Sequence, residues 1–307
     1  MCADKTLQVS FSCDEYRLYG TVHLPATSVR KNDIGIIMIN AGPTERAGPN
    51  RLYIKMAQYF VSKGFPVFRF DPRGTGESQG YWKDIYEGSP ITELYKAILE
   101  GIWLEDTNRA IEEFMNLAKV KTVMLYGLCG GAITSLIAGA NNPKVSHMCF
   151  LGMPVTLTAS TGAISDLPED LIEKDFKLYL KKIFQPRAAW KFLTLQTDYK
   201  TLMAVFYLKF KNIIKKFIGR VKVTHNDRLS KYFLKAYCSA IKSGKKMIFV
   251  YGENDYLRHE FVNYFYEPNK IREKDNIEYH MISNANHTLA EDRWQKQYCN
   301  ILSKWIG

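Results

Sequence analysis

No run of about 18 or more uncharged apolar residues occurs in the chain, which argues against a membrane-spanning helix. The first ten residues carry Asp4 and Lys5 where a signal peptide needs an apolar stretch, so a cytoplasmic location is expected. Cysteine is sparse and scattered. Six residues, Cys2, Cys13, Cys129, Cys149, Cys238 and Cys299, stand singly. They show neither the C-x-x-C pairs of a zinc site nor the density of a disulfide scaffold, so free thiols and no metal are expected. The glycines of Asp71-Pro72-Arg73-Gly74-Thr75-Gly76-Glu77-Ser78 match neither G-x-G-x-x-G nor G-x-x-x-x-G-K-[ST]. That segment reads as scaffold, and no nucleotide or other cofactor is expected. Internal repeats and low-complexity tracts are also lacking.

What remains is a chain of 307 residues, 46% hydrophobic, enough for one large domain carrying an inserted subdomain. Leu7 to Cys13 and Arg17 to Leu24 flank the polar turn Asp14-Glu15 and read as a hairpin or meander. Ile34 to Ile39 and Val67 to Phe70 are short apolar runs of the kind buried on both faces of a parallel sheet. Between them a helix is expected from about Arg51 to Lys63, with Leu52, Met56 and Phe60 on one face and Gly64 as its stop. Ile91 to Ala118 reads as helix with a break. Strand, glycine turn and helix then succeed one another from Thr122 to Ala140, and Val145 to Leu151 is a further strand. This alternation predicts an α/β fold, a mostly parallel, doubly wound sheet.

The pattern lapses for about ninety residues and resumes at Met247 to Tyr251, followed by strand Ile277 to Ile282 and a closing helix from Leu289 to Ile306. The core is accordingly assigned to 1–154 and 241–307, with 155–240 as a helical cap. That interval is basic. Lys174 to Lys246 holds 19 Lys and Arg against Asp175, Asp198 and Asp227, so the rest of the chain is net acidic although the whole is +11. Phe206, Tyr207, Phe210 and Phe217 lie among these lysines. A lipid-like chain, an anionic membrane surface or an acidic acyl carrier protein would suit such a cap, the carrier protein foremost. No nucleic-acid recognition motif accompanies the charge, so nucleic acid is not an expected partner.

Chemistry concentrates at Gly127-Leu128-Cys129-Gly130-Gly131, a G-x-C-x-G sequence between an apolar strand and an apolar helix. A nucleophile elbow needs glycine flanks because side chains two positions from its apex would strike the neighbouring strand and helix. A helix N-terminus and a nearby imidazole favour the thiolate form of a cysteine placed there. Gly252-Glu253-Asn254-Asp255 follows a buried strand, so Asp255 is the expected acid and Glu253 the alternative. His287, in Ser283-Asn284-Ala285-Asn286-His287 between the last strand and the last helix, is the expected base. For an oxyanion, the elbow supplies the N–H of Gly130. The loop Asn40-Ala41-Gly42-Pro43-Thr44-Glu45-Arg46 supplies a second, from Gly42 first and Thr44 next, since Pro43 has none.

Together with Phe70 to Ser78, these segments resemble the α/β-hydrolase superfamily over nearly the whole chain. Ala41 to Gly48 with Gly127 to Ala132 is similar to the exosortase A system-associated hydrolases. The resemblance implies the fold and hydrolase class, with Cys129 as nucleophile, Asp255 as acid and His287 as base. Cysteine replaces the usual serine, and Asn40-Ala41 stands where many members carry His-Gly, so serine-hydrolase substrates do not carry over. The expected activity is cleavage of an acyl ester or thioester, or transfer of its acyl group to an alcohol or amine. A binding protein that kept the fold and lost the chemistry is the competing class. A cytoplasmic enzyme peripheral to the inner membrane fits either activity.

Overall fold

The apolar runs become the inner strands of one eight-stranded sheet. The computed structural model describes residues 4–27, 33–80, 90–156, 229–269 and 276–306. Strands β1 (Lys5–Cys13) and β2 (Tyr16–Leu24) form an antiparallel hairpin across a turn in which Asp14 takes a φ of 51°. The others are β3 (Ile34–Ile39), β4 (Val67–Asp71), β5 (Thr122–Leu128), β6 (Val145–Leu151), β7 (Lys246–Gly252) and β8 (Ile277–Ile282). Their order across the sheet is β1-β2-β4-β3-β5-β6-β7-β8, parallel from β4 onward and antiparallel at β2.

Alternation along the strands divides the core into two layers. On β3, Ile37 and Ile39 join one hydrophobic cluster, while Ile36 and Met38 join another on the opposite face. Helix α1 (Leu52–Ser62) and the C-terminal helix, α7 below, cover the second cluster with Leu52, Met56, Phe60, Tyr298 and Leu302. The first cluster is covered by α2 (Pro90–Glu100), α3 (Leu104–Ala118), α4 (Gly130–Gly139) and α5 (Lys231–Lys242). Each side chain of this kind, fully withdrawn from water, contributes about 1.5–3 kcal/mol. The break expected between Ile91 and Ala118 is real: Gly101, at φ 88°, separates α2 from α3. After β7 come the short helix α6 (Tyr256–Glu260) and a π-helical turn, Phe261–Tyr266. Helix α7 (Asp292–Ile306) closes the chain.

Two compact units divide the chain, residues 1–161 with 228–307, and residues 162–227. Most of the expected cap, 155–240, and with it most of the basic interval, lies outside the described residues. Helix α5 had been assigned to that cap, yet it belongs to the first unit. It packs on α4 and buries Phe233 and Ala240, completing the crossover from β6 to β7. The core therefore resumes near residue 228 rather than 241. Thr156 pairs with Leu229 in an antiparallel bridge, and Ser230 N–H donates to the Val155 carbonyl at 2.9 Å. No helix among the described residues is long and apolar enough to cross a membrane.

Candidate active site

Strand β5 delivers the chain to Cys129 at the C-terminal edge of the sheet, where open α/β sheets place their ligands. Cys129 has φ 54° and ψ −115°, outside the regions an L-residue prefers, at a cost of about 1–3 kcal/mol. Its N–H donates to the Leu151 carbonyl at 3.0 Å, and its carbonyl accepts from Ala132 N–H at 3.0 Å as α4 begins. Both flanking glycines are sterically required. A Cβ on Gly127 would lie 2.1 Å from the Gly131 carbonyl, and one on Gly131 would lie 2.4 Å from the carbonyl oxygens of Ile39 and Asn40. The side chain at 129 is thereby held above the sheet edge.

His287 and Asp255 stand on the loops after β8 and β7. The two loops are stitched by backbone bonds, Glu253 N–H to Ile282 O at 2.9 Å and Asn254 N–H to Ala285 O at 2.9 Å. Asp255, 1% exposed, caps α6 by accepting from Leu257 N–H at 3.0 Å through one oxygen. Its other oxygen accepts from His287 Nδ1–H at 2.8 Å. Burial works against a charged imidazole, but hydrogen bonds to Asp255 and Cys129, with their charges, prevail and raise the His287 pKa to about 10. The alternative acid, Glu253, is turned away: its carboxylate accepts from Asn284 N–H at 2.7 Å. A residue that pattern reading passed over, Gly152 at the end of β6, lies beneath the pair. A Cβ there would stand 2.6 Å from His287 Cε1 and Nδ1 and 2.9 Å from Asp255 Oδ2.

The loop after β3 reaches the elbow from the other side. Gly42 N lies 3.4 Å from where a Gly130 Cβ would be, so these two expected oxyanion donors come together. Thr44 is engaged within the loop, its carbonyl accepting from Asn40 Nδ2 at 2.6 Å and its hydroxyl donating to the Ala41 carbonyl at 3.2 Å. Asp71, wholly buried at the end of β4, fastens this loop. It accepts from Asn40 Nδ2 at 3.1 Å, from Arg46 N–H at 2.6 Å and from Glu77 N–H at 3.3 Å, and it pairs with the Arg46 guanidinium. Arg46 also reaches Glu77. The segment read from sequence as scaffold thus anchors the loop after β3 directly.

Two tyrosines complete the surroundings of the sulfur, and neither was singled out from sequence. Tyr95 on α2 brings its hydroxyl to 2.7 Å from Cys129 Sγ. Tyr256, next to Asp255, also feels the Cys129 charge. Burial first, then Cys129, raises the pKa of both phenols above the ordinary value. Their pattern gives no warning, because only the fold brings Tyr95 to the sulfur and Tyr256 into its electrostatic reach. Among the described residues no group of three or more His, Cys, Asp or Glu side chains is arranged to hold a metal ion.

No protein-family model and no curated protein sequence matches the chain. Solved structures do, over almost its full length. An α/β serine hydrolase homologue from Coxiella burnetii is 15% identical, with a TM-score of 0.54 over 98% of this chain and 97% of that one. The esterase PF2001 of Pyrococcus furiosus is 13% identical, with a TM-score of 0.57 over 99% and 92%. A dienelactone hydrolase from Anabaena variabilis is 14% identical, with a TM-score of 0.52 over 99% and 97%. The eight-stranded, mostly parallel sheet covered by helices on both faces is the α/β-hydrolase fold.

Proposed function

We propose that this chain is a cysteine-dependent hydrolase that cleaves an acyl ester or thioester through an acyl-enzyme on Cys129. The observation that carries the reading is the 2.8 Å bond between His287 Nδ1 and Asp255 at the same sheet edge as Cys129, whose side chain stands on a strained turn. In this reading Cys129 Sγ, as thiolate, attacks the acyl carbon while the N–H groups of Gly130 and Gly42 receive the oxyanion. Asp255 occupies Nδ1 of His287, so Nε2 is the nitrogen that gives a proton to the departing alkoxide or thiolate. In the second half, Nε2 takes a proton from water, the hydroxide adds to the thioester carbon, and the sulfur leaves as thiolate with release of the acid. Lengthwise likeness to an esterase and a dienelactone hydrolase supports the fold on which this chemistry would run.

A sulfur nucleophile favours one second reading. Its acyl thioester is nearly isoenergetic with a thioester substrate and stays activated toward an alcohol or amine, so transfer competes with hydrolysis. The similarity to exosortase A system-associated hydrolases rests on two short motifs and adds no substrate to either reading. Intact-protein mass after brief exposure to acyl thioesters and aryl esters tests the proposal, with Cys129→Ala in parallel. A Cys129-dependent acyl adduct is expected, and its lifetime in water with and without an added alcohol separates hydrolysis from transfer. Turnover that persists in Cys129→Ala would end the assignment.

A further inference from the structure

We infer that Tyr95 is a further catalytic residue, whose phenolic O–H donates to Cys129 Sγ and holds the sulfur in its reactive, anionic form. This rests on the reading of Cys129 as nucleophile. The contact of the Tyr95 hydroxyl with the sulfur spans 2.7 Å, within hydrogen-bond reach. Its origin is a rigid one. Leu94, Ala97 and Ile98 of α2 are buried against the core, and Ile98 Cδ1 comes within 2.9 Å of where a Gly130 Cβ would be. Tyr95, one step round the helix from this stripe, is therefore set at a fixed height over the elbow rather than swung in from a loop.

The direction of the hydrogen bond follows from the surroundings. Burial and the neighbouring Cys129 keep the Tyr95 phenol protonated, and since the proposed thiolate has no proton to give, the phenol is the donor. Other titratable groups also bear on the sulfur: His287 from the loop after β8, backed by Asp255, Tyr256 from α6, Tyr53 from α1 and Tyr251 from β7. The Tyr53 hydroxyl is already committed to the Ile39 carbonyl at 2.9 Å, and that of Tyr251 to the Met153 carbonyl at 2.7 Å. Tyr95 thus supplies a neutral donor on one side of the sulfur while His287 supplies a charged one on another. A thiolate stabilised in this way is also the better leaving group when the acyl thioester is resolved.

The test is the pH profile of Cys129 alkylation by iodoacetamide, followed by peptide mass so that the exposed Cys238 is counted separately. Tyr95→Phe is expected to move the midpoint upward by about one to two pH units, equivalent to a ten- to hundredfold loss of alkylation rate below the midpoint. A 3-fluorotyrosine at position 95, a stronger donor of nearly the same shape, is expected to move it downward. This second substitution keeps the test valid if Tyr95→Phe fails to fold. Profiles that superimpose within about 0.3 pH unit in both variants would overturn the assignment. The readout needs no substrate: a shifted profile with no acyl adduct on any ester would refute the hydrolase reading and leave Tyr95 in place.

Discussion

Gly152→Ala tests the placement of His287, the proposed base, most directly. The added methyl carbon would begin 2.6 Å from two atoms of the His287 ring and 2.9 Å from Asp255 Oδ2, where ordinary contact is 3.4 Å or more. The ring must therefore retreat by roughly 0.8 Å, or the end of β6 must move by a similar amount. Gly152 also has a φ of 55°, where alanine costs about 1–2 kcal/mol. Two effects should then appear together. Thermal or urea unfolding should report a loss of about 1–3 kcal/mol, within the range for a strained glycine site. A base displaced by nearly 1 Å should lower kcat/KM for an aryl ester by about a hundredfold at a temperature where both proteins are fully folded, with kcat carrying most of it. Activity within threefold of the parent enzyme would refute the argument that the His287 ring fills the space above Gly152.

Asp71→Ala should free the 40–46 loop and leave Arg46 with Glu77 alone, destabilising the protein by about 1–3 kcal/mol in urea titration. Its residual activity should show a depressed kcat because the Gly42 N–H loses its anchor. The pH dependence follows from His287, whose pKa rises on folding to about 10. Stability from the imidazolium–Asp255 pair is fully present below about 6.5 and is lost as pH rises through about 10, and His287→Gln should abolish that dependence in equilibrium unfolding. The same deprotonation removes the acid for the leaving group, so kcat/KM should fall on the alkaline side near pH 10. If the basic interval docks an acidic acyl carrier, activity on a carrier-bound thioester should drop steeply with salt while a small ester is unaffected, and equal responses would remove that partner.

The inner strands were legible because burial on both faces leaves a parallel strand no polar period. Ile34–Ile39 and Val145–Leu151 read directly as what they are. The positions of Cys129, Asp255 and His287 were legible for a related reason, since the first two follow such runs and His287 follows the parallel edge strand Ile277–Ile282, so all three stand on the same sheet edge. Gly42 could be placed on the loop after β3, and its nitrogen lies near Gly130. Helix α5 was less legible. Its lysines and aromatics match the preceding basic interval, and only the packing of Phe233 and Ala240 marks it as core. Tyr95 and Gly152 could not be found by spacing. One is aimed at the sulfur by the packing of α2, and the other matters for a clash with a residue well over a hundred positions away.

The isolated bridge between Thr156 and Leu229 makes a doorway of the two points where the described chain leaves and re-enters the core. Because the chain leaves the core and re-enters it at paired residues, the interval between them is closed off in advance. For a flexible connection across such a pair, closure entropy changes by only about 0.6 kcal/mol for each doubling of length. Cys129 lies before this doorway, and Asp255 and His287 lie after it. Chain joining the paired residues therefore leaves and re-enters the core at one fixed place.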